Sequence, residues 1–293
     1  MLVIGSRGSK LALWQANYIK SRLEALGEEV RIEIITTSGD RFQAGPLKEI
    51  GTKGLFTKEI EEALLAGSID LAVHSLKDLP TGNPSGLHIA ATPEREDARD
   101  AMVGSKLQDL PTGSRIGTGS LRRVAQLKAA RHDLIVEGIR GNVDTRLRKL
   151  DEGQFDAIVL ACAGLNRLGW SGRIAEHLPV EVMCPAVGQG ALAVQTRNDD
   201  GPAARICSNL NHRPTYEAVG AERALLSVLG GGCHVPIGAH ASFESGLLHL
   251  RAIVISPDGS RMVKREAYGT DPEMVGSTLG EELLEHGARE ILG

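Results

Sequence analysis

Aromatic residues are scarce in this sequence: Phe, Trp and Tyr together make up only 3% of its 293 residues. Proteins that hold single-stranded nucleic acid stack the bases on aromatic side chains, and most nucleic-acid-binding domains are basic. This chain instead has a formal net charge of −4 and an isoelectric point near 6.2. We therefore expect no nucleic-acid partner and a core built from Leu, Ile, Val and Ala.

Long hydrophobic runs are also missing from the chain. No stretch approaches the roughly 18 consecutive apolar residues that a membrane-spanning helix requires. The opening residues, MLVIGSRGSKLALWQA, place Arg7 and Lys10 inside the region that a signal peptide keeps apolar. The sequence thus predicts no membrane partner and a cytoplasmic location.

Cysteines are few, and the four at positions 162, 184, 207 and 233 form no C-x-x-C pair. The lack of such a pair argues against a zinc knuckle or a thioredoxin motif, and the class of the chain argues against a disulfide framework. Cys162 lies in the apolar run DAIVLACAGL, which predicts a buried core residue. Cys233 follows three glycines in LGGGCHVPIG and stands beside His234. A thiol on such a loop suits a nucleophile or an attachment point, although most isolated cysteines of this kind are incidental.

The order of predicted elements indicates an α/β fold. The first half alternates short apolar strands with amphipathic helices, a rhythm that implies a parallel sheet with helices on both faces. A second series of the same kind follows, and the last part has strands flanked by helices without that alternation. We therefore predict a discontinuous first domain over 1–94 with 190–208, a second over 95–189, and a smaller α+β domain over 209–293. We expect a cleft between the first two domains.

One long segment lacks periodicity. The stretch SGDRFQAGPLKEIGTKGLF contains several glycines and no clear helix or strand pattern. Loops of this length are usually functional lids or disordered. We interpret residues 39–56 as a mobile lid.

The segment HSLKDLP places two charged residues at the end of a predicted strand. In open α/β sheets, ligands bind beyond the carboxyl ends of the strands. Asp78 at this position could accept hydrogen bonds from a substrate N–H or transfer a proton, with Lys77 beside it. The alternative is a solvated Lys–Asp pair in a turn. His74 in the same segment is interpreted as structural.

Arginines recur where strands end. Arg7 follows the first strand, GTGSLRR carries Arg122 and Arg123, and IRGNVDTRL carries Arg140 and Arg146. One such arginine would be unremarkable, but three separate strand ends with arginine favour an anionic ligand that carries several carboxylates or phosphates.

The GTGSLRR motif by itself allows two interpretations. The glycines and the following helix N-terminus could cradle an anion, with the arginines adding bidentate contacts. The segment could equally be a capped surface helix with two solvated arginines. It lacks the G-x-x-x-x-G-K-[ST] pattern of a P-loop, which argues against a nucleotide-dependent transferase.

Taken together, the motifs resemble those of the porphobilinogen deaminase (hydroxymethylbilane synthase) family. The resemblance spans nearly the whole chain in the family's order. The motifs are IGSRGSKLALWQA, TTSGD, TKGLFTKEIE, HSLKDLPT, EREDARDA, GTGSLRR, IRGNVDTRL, AGLNRLG, VGQGAL and GGGCHVPIG.

The resemblance implies a fold and an activity. It implies two domains with the type II periplasmic-binding-protein fold, an active site in the cleft between them, and a smaller α+β C-terminal domain. It further implies a transferase that condenses four porphobilinogen molecules with loss of ammonia to give linear hydroxymethylbilane, in tetrapyrrole biosynthesis. The chain would grow on a dipyrromethane cofactor joined by a thioether to Cys233, and the enzyme would be a monomer.

The resemblance also assigns the site residues. Asp78 is expected to be catalytic, and no metal is expected. The expected cofactor-binding residues are Cys233, Asp78, Lys77, Ser75, Thr118, Ser120, Arg122, Arg123 and Gly141. The expected substrate-binding residues are Arg7, Ser9, Arg140, Arg146, Arg167, Gln15, Lys53 and Gln189.

Two positions depart from the family pattern. Gly119 stands where the family more often has Ser, which removes one hydroxyl contact, and Thr52 stands where Gly is common in the lid. A rival interpretation is a non-enzymatic solute-binding protein for a polycarboxylate ligand. That interpretation leaves Cys233 and the third domain without a purpose.

Overall fold

The computed structural model describes residues 1–41, 57–199, 201–230 and 236–293. Most of the predicted lid, residues 42–56, lies outside the described residues, as do Lys53, Thr52 and Cys233. The described chain divides into two compact units, Met1–Arg95 with Ala191–Tyr216 and Glu96–Gly190 with Glu217–Gly293.

The first unit is built on a five-stranded sheet. Its elements are β1 (Leu2–Ser6), α1 (Lys10–Glu24), β2 (Val30–Ile34), α2 (Ser38–Arg41), α3 (Lys58–Leu65), β3 (Leu71–Ser75), β4 (Leu87–Ala91), β10 (Leu192–Arg197) and α7 (Pro202–Ser208). The strand order is β2-β1-β3-β10-β4. Strands β1, β2 and β3 run parallel, and β10 is antiparallel to both of its neighbours.

Both faces of this sheet are covered, which explains why β1 is apolar throughout. All five of its residues are buried, as expected for a parallel strand between two helical layers. Ile4 packs with Ile19 of α1 in one cluster, whereas Val3 packs with Ile60 of α3 in another. The alternation of side chains along a strand therefore directs neighbouring residues into different cores.

The second unit contains a sheet of the same design. Its elements are β5 (Asp100–Val103), β6 (Arg115–Gly117), α4 (Leu121–Ala130), β7 (Ile135–Glu137), α5 (Val143–Asp151), β8 (Ala157–Ala161), α6 (Cys162–Arg167) and β9 (Ile174–His177). The strand order is β7-β6-β8-β5-β9, with β6 parallel to both neighbours and β5 antiparallel to both of its own.

The two sheets share one topology. In each, the first parallel strand lies between the second and third, and an antiparallel strand separates the third from the edge. The predicted α/β fold with two similar halves is thereby confirmed.

The C-terminal part of the second unit is an antiparallel meander packed on helices. Its elements are α8 (Arg213–Val228), which belongs to this unit from Glu217 onwards, β11 (Ile237–Glu244), β12 (Leu247–Ile255), β13 (Met262–Gly269), α9 (Pro272–Leu283) and α10 (Arg289–Leu292). Leu248 and Leu250 of β12 pack with Leu225 of α8 and Leu279 of α9 in one core. The predicted α+β character is confirmed. The Asp–Gly pair in HLRAIVISPDGSRMVKREAYG predicts a hairpin turn, and Gly259 of that pair has a φ of +80° between β12 and β13.

The segment DPEMVGSTLGEELLEHGAREIL has a pattern that predicts one continuous final helix, and that prediction is wrong. The helix α9 ends at Leu283 and α10 begins at Arg289. Between them Gly287 has a φ of +103°, a left-handed conformation that interrupts a right-handed helix.

Three further expectations concern the domains, membrane-spanning helices and cysteines. The division into three domains stays a prediction, because the second sheet and the meander belong to one unit. Among the described helices, none combines the length and apolar character that crossing a membrane requires. Cys162, Cys184 and Cys207 are buried, so the predicted core position of Cys162 is confirmed.

Candidate active site

Asp78 lies in a short turn at the carboxyl end of β3. Residues Leu76–Asp78 form a single 3₁₀ turn directly after the strand. Leu76 and Leu79 are buried and anchor the turn, whereas Lys77 and Asp78 are exposed. The Asp78 carboxylate has no hydrogen bond or ion pair with the described residues, so its oxygens are free to accept from a ligand.

The neighbouring strand end in the first unit carries more of the expected residues. Strands β1 and β3 are parallel neighbours, so the segments that follow them emerge at the same edge of the sheet. Ser9 Oγ accepts from Ala12 N at 3.3 Å and caps α1. Gln15 is buried, and its Nε2 donates to Ser75 Oγ at 2.9 Å. Gln15 and Ser75 thus form one pair that ties α1 to the end of β3.

His74 is buried on the other side of β3. Its Nε2 lies 3.1 Å from Gln195 Oε1. Burial lowers the pKa of His74 to about 4, and the charge of Arg7 acts in the same direction. The imidazole is therefore neutral at pH 7, and the structural role expected for His74 agrees with its environment.

In the second unit, the segment after β6 forms the predicted turn into α4. Thr118 is buried, and its Oγ1 accepts from Ser120 N at 3.3 Å. Ser120 occupies the N-cap of α4, where its side chain makes no capping bond. A Cβ at Gly119 would lie 3.0 Å from the Ile139 carbonyl oxygen. Any side chain at position 119 would thus press on the backbone.

Arg122 and Arg123 are buried, with 6% and 5% of their surface exposed. The alternative of two solvated arginines is therefore wrong. Both guanidinium groups form ion pairs with Asp100, at 2.8 and 2.7 Å. Their expected contact with the cofactor stays a prediction.

Arg140 and Arg146 flank the turn between β7 and α5. Arg146 Nε donates to the Gly141 carbonyl oxygen at 2.8 Å, and Gly141 has a φ of +112° that favours glycine. Burial lowers the pKa of Arg146, and the positive charges of Arg123 and Arg140 lower it further. This unit therefore concentrates positive charge that a bound carboxylate would offset.

Arg167 and Gln189 lie inside the second unit. Arg167 is buried, and its Nη2 donates to the Gly190 carbonyl oxygen at 2.6 Å. Gln189 is also buried, and its Nε2 donates to the Ala98 carbonyl oxygen at 2.7 Å and to Asp100 Oδ1 at 2.9 Å. In this arrangement both side chains hold backbone and Asp100 in place.

Sequence reasoning gave no role to Asp100 or to Glu222, and both are wholly buried carboxylates. Asp100 lies in EREDARDA, a motif that was matched without assigning a function to this residue. A signal was present, because an aspartate that opens the apolar strand DAMV must find partners when it is buried.

Asp97, Cys162 and His177 are close enough to suggest a metal site, since one ligand atom from each lies within 4.8 Å of the others. Arg99 occupies the Asp97 carboxylate, donating from Nε and Nη2 to both oxygens. Burial raises the pKa of the Cys162 thiol to about 12, which opposes the thiolate that a metal needs. We assign no metal to this group.

Two family models match the chain. The model described as porphobilinogen deaminase, dipyromethane cofactor binding domain, matches residues 2–205, and the model described as porphobilinogen deaminase, C-terminal domain, matches residues 216–285. The chain belongs to the porphobilinogen deaminase family.

Relatives support this membership over the full length. The porphobilinogen deaminases of Thiobacillus denitrificans and Geobacillus kaustophilus are each 51% identical, covering 99% of this chain and 97% and 96% of the relative. That of Chlorobium phaeovibrioides is 49% identical and covers 99% of this chain and 96% of the relative. The family, the enzyme class and the dipyrromethane cofactor expected from the sequence are confirmed, and the solute-binding alternative is not favoured.

Two solved structures show a weak similarity to this chain. A periplasmic substrate-binding protein of an ABC transporter from Coxiella burnetii is 14% identical, with a TM-score of 0.45, and covers 76% of this chain and 97% of that one. A substrate-binding domain from Streptococcus pneumoniae is 13% identical, with a TM-score of 0.43, and covers 78% of this chain and 95% of that one.

Proposed function

We propose that this member of the porphobilinogen deaminase family joins four porphobilinogen molecules with loss of ammonia, and that Asp78 takes part in each condensation. The observation that carries the role of Asp78 is its position: an exposed carboxylate without a partner among the described residues, at a strand end of a family enzyme.

The described residues fit a group that carries several carboxylates, as dipyrromethane does. Arg122 is almost wholly buried, yet its Nε has no hydrogen-bond acceptor among the described residues. Arg123 and Arg140 are each near enough to Arg146 for their positive charges to lower its pKa. Carboxylates bound here would accept the unused N–H and offset the excess positive charge.

Each residue then has a distinct task. When bound to Cys233, dipyrromethane supplies the terminal pyrrole on which the chain grows. The cofactor is held by Arg122, Arg123, Lys77, Ser75, Thr118, Ser120 and Gly141. The substrate is bound by Arg7, Ser9, Gln15, Lys53, Arg140, Arg146, Arg167 and Gln189.

Asp78 acts electrostatically and as a proton carrier. When the C–N bond of the porphobilinogen aminomethyl group breaks, its nitrogen leaves as ammonia and its methylene carbon stays on the ring. Positive charge then develops on the pyrrole, and its N–H becomes a stronger donor. An ionised carboxylate that accepts a hydrogen bond from this N–H stabilises the positive charge more in the transition state than in the ground state. The same carboxylate can take the proton that the attacked pyrrole carbon loses when the new C–C bond forms.

The cofactor assignment is tested by intact mass. We expect purified protein to exceed the mass of the bare chain and Cys233→Ser to lose the excess, while the control Cys207→Ala keeps it. A bare-chain mass in both fresh and substrate-exposed wild type would refute a covalent cofactor.

The role of Asp78 is tested by turnover. We expect Asp78→Ala to retain substrate binding but to lose activity by about 100-fold or more, the size of a general acid–base contribution. Asp109→Asn, a change at an exposed aspartate of the second unit, serves as the control and should be unaffected. Near-normal turnover of Asp78→Ala would refute this role.

The remaining proposals concern the whole chain. We propose three domains over 1–94 with 190–208, 95–189 and 209–293, and a monomer that acts in the cytoplasm. Light scattering of the purified protein tests the oligomeric state, since a mass near twice that of the chain would contradict it.

A further inference from the structure

Among the described residues, Asp100 is the one carboxylate that forms ion pairs with Arg122 and Arg123. All three side chains are buried. Asp100 opens β5 and has no exposed surface. Arg123 donates from Nε and Nη2 to its Oδ1 at 3.0 and 2.7 Å. Arg122 Nη2 lies 2.8 Å from Oδ2.

The charge of this group favours an anion nearby. Burial alone would raise the pKa of Asp100, but Arg122 and Arg123 outweigh it and lower the pKa to about 2. Asp100 is therefore ionised and neutralises one of the two arginines. One positive charge remains, and burial makes an unpaired charge costly.

The hydrogen bonds distinguish the two arginines. All three nitrogens of Arg123 are engaged, because Nη1 donates to the Val159 carbonyl oxygen at 2.9 Å in addition to the bonds with Asp100. Arg122 Nη1 donates to the Cys184 carbonyl oxygen. Its Nε has no acceptor in the described part of the chain. The unused donor thus belongs to the arginine that Asp100 holds by one nitrogen only.

Asp100 is itself held by the turn that precedes β10. Gln189 Nε2 donates to Asp100 Oδ1 at 2.9 Å. The backbone of this turn is fixed from two sides: Gly188 N donates to Glu222 Oε2 of α8 at 2.7 Å, and the Gly190 carbonyl oxygen accepts from Arg167. A Cβ at Gly190 would lie 2.3 Å from the Glu96 carbonyl oxygen, so the turn has little room to shift.

We infer that Asp100 is a positioning residue for the reaction: together with Gln189 and Glu222, it sets the placement of Arg122 and Arg123 and leaves Arg122 Nε available to a ligand carboxylate. The inference rests on the proposed function, since it assigns that carboxylate to dipyrromethane or the growing chain. Glu222 extends the same hydrogen-bonded path into α8, the helix that precedes the segment carrying Cys233.

The first test variant removes the charge of Asp100 and keeps the size and shape of the side chain. Asp100→Asn removes the charge and turns one acceptor into a donor facing an arginine N–H. We expect the share of protein with dipyrromethane, measured by intact mass, to fall about fivefold. In the cofactor-bearing fraction, KM for porphobilinogen should rise about tenfold while kcat stays within about threefold, because ligand placement and not the chemical step is lost.

Further variants separate positioning from folding. Asp100→Glu restores the charge and should return KM part of the way to wild type. Gln189→Met removes the hydrogen bond to Asp100 without a charge change and should raise KM by about threefold. It decides the outcome if Asp100→Asn does not fold. The control Asp133→Asn removes the carboxylate of another ion pair, with Arg131 at 2.7 Å, and should leave KM and cofactor content unchanged.

Two results would overturn the inference. One is wild-type cofactor content and KM in Gln189→Met together with wild-type values in any folded Asp100→Asn. The other is a loss of kcat at unchanged KM in Asp100→Asn, which would place Asp100 in the chemical step. A wild-type protein without cofactor or turnover would instead refute the proposed function.

Discussion

At the scale of single residues, burial decides which chemistry an ionisable side chain can perform. Asp78 and Asp100 are the same residue type, yet Asp78 is exposed without a partner among the described residues, and Asp100 is buried between two arginines. Asp78 is accessible to a ligand, whereas Asp100 can act only through the arginines that it contacts. His74 illustrates the same effect, because burial keeps its imidazole neutral.

His74 makes stability depend on pH. Its pKa is about 4 in the folded protein and 6.5 when exposed, so the unfolded chain binds the proton first as pH falls. Stability is complete above pH 6.5 and declines towards pH 4, by about 3 kcal/mol from this residue. We expect His74→Gln to lack this part of the decline in urea unfolding at pH 7 and pH 4. The exposed residue His132, changed to Gln, is the control, and equal declines in wild type and His74→Gln would contradict the prediction.

At the scale of elements, close contacts between backbones explain glycines that sequence patterns cannot. Helix α9 packs on α8 at Gly276, where a Cβ would lie 2.3 Å from the Ala221 carbonyl oxygen. Gly220 of α8 is different, because the nearest atom to its Cβ would be 3.9 Å away. Both residues are helical glycines, and only their neighbours distinguish them.

These two glycines should respond to alanine in opposite directions. Gly276→Ala forces α9 away from α8 and should lower the free energy of unfolding by about 2 kcal/mol, as overpacking does. Gly220→Ala meets no obstacle and should raise it by up to about 1 kcal/mol, because alanine favours the helix. Urea unfolding of each variant measures both changes, and a stabilising Gly276→Ala would show that the helices can separate freely.

At the scale of the whole molecule, the negative net charge does not reveal the local group of positive charges. The chain is negative overall, with a formal net charge of −4. Arg123 and Arg140 nevertheless lie close enough to Arg146 for their positive charges to lower its pKa. The anion binding that we propose here would depend on a few fixed side chains and not on the field of the entire protein.

Thiol counting tests the whole molecule. Burial raises the pKa of Cys162, Cys184 and Cys207 to about 12, so almost no thiolate forms at pH 8 in the native state. We expect these three thiols to resist Ellman's reagent natively and to react in guanidinium chloride. The fourth, Cys233, should stay unreactive in cofactor-bearing protein because its sulfur is a thioether. Four reactive thiols after unfolding of that protein would contradict the linkage, and Cys233→Ser is the control with three.

The sequence by itself determined the α/β alternation, the α+β C-terminal part, the family and the strand ends where Asp78 and the arginines lie. These features follow from local patterns: apolar periodicity, turn residues and motif order. It did not reveal that Arg122 and Arg123 are buried, because their partner Asp100 is more than 20 positions away in sequence. It also missed the break at Gly287, where one glycine adopts a left-handed conformation inside an apparently helical pattern.

The tertiary structure alone decided which charged residues are exposed and which are buried against a partner. Long-range partners such as Asp100, Gln189 and Glu222 come together only when β5, the turn before β10 and α8 have packed. Burial then fixes their ionisation, since a charge removed from water must find a partner. The arginines were named from the sequence, whereas their buried ion-pair partner Asp100 became visible only in the fold.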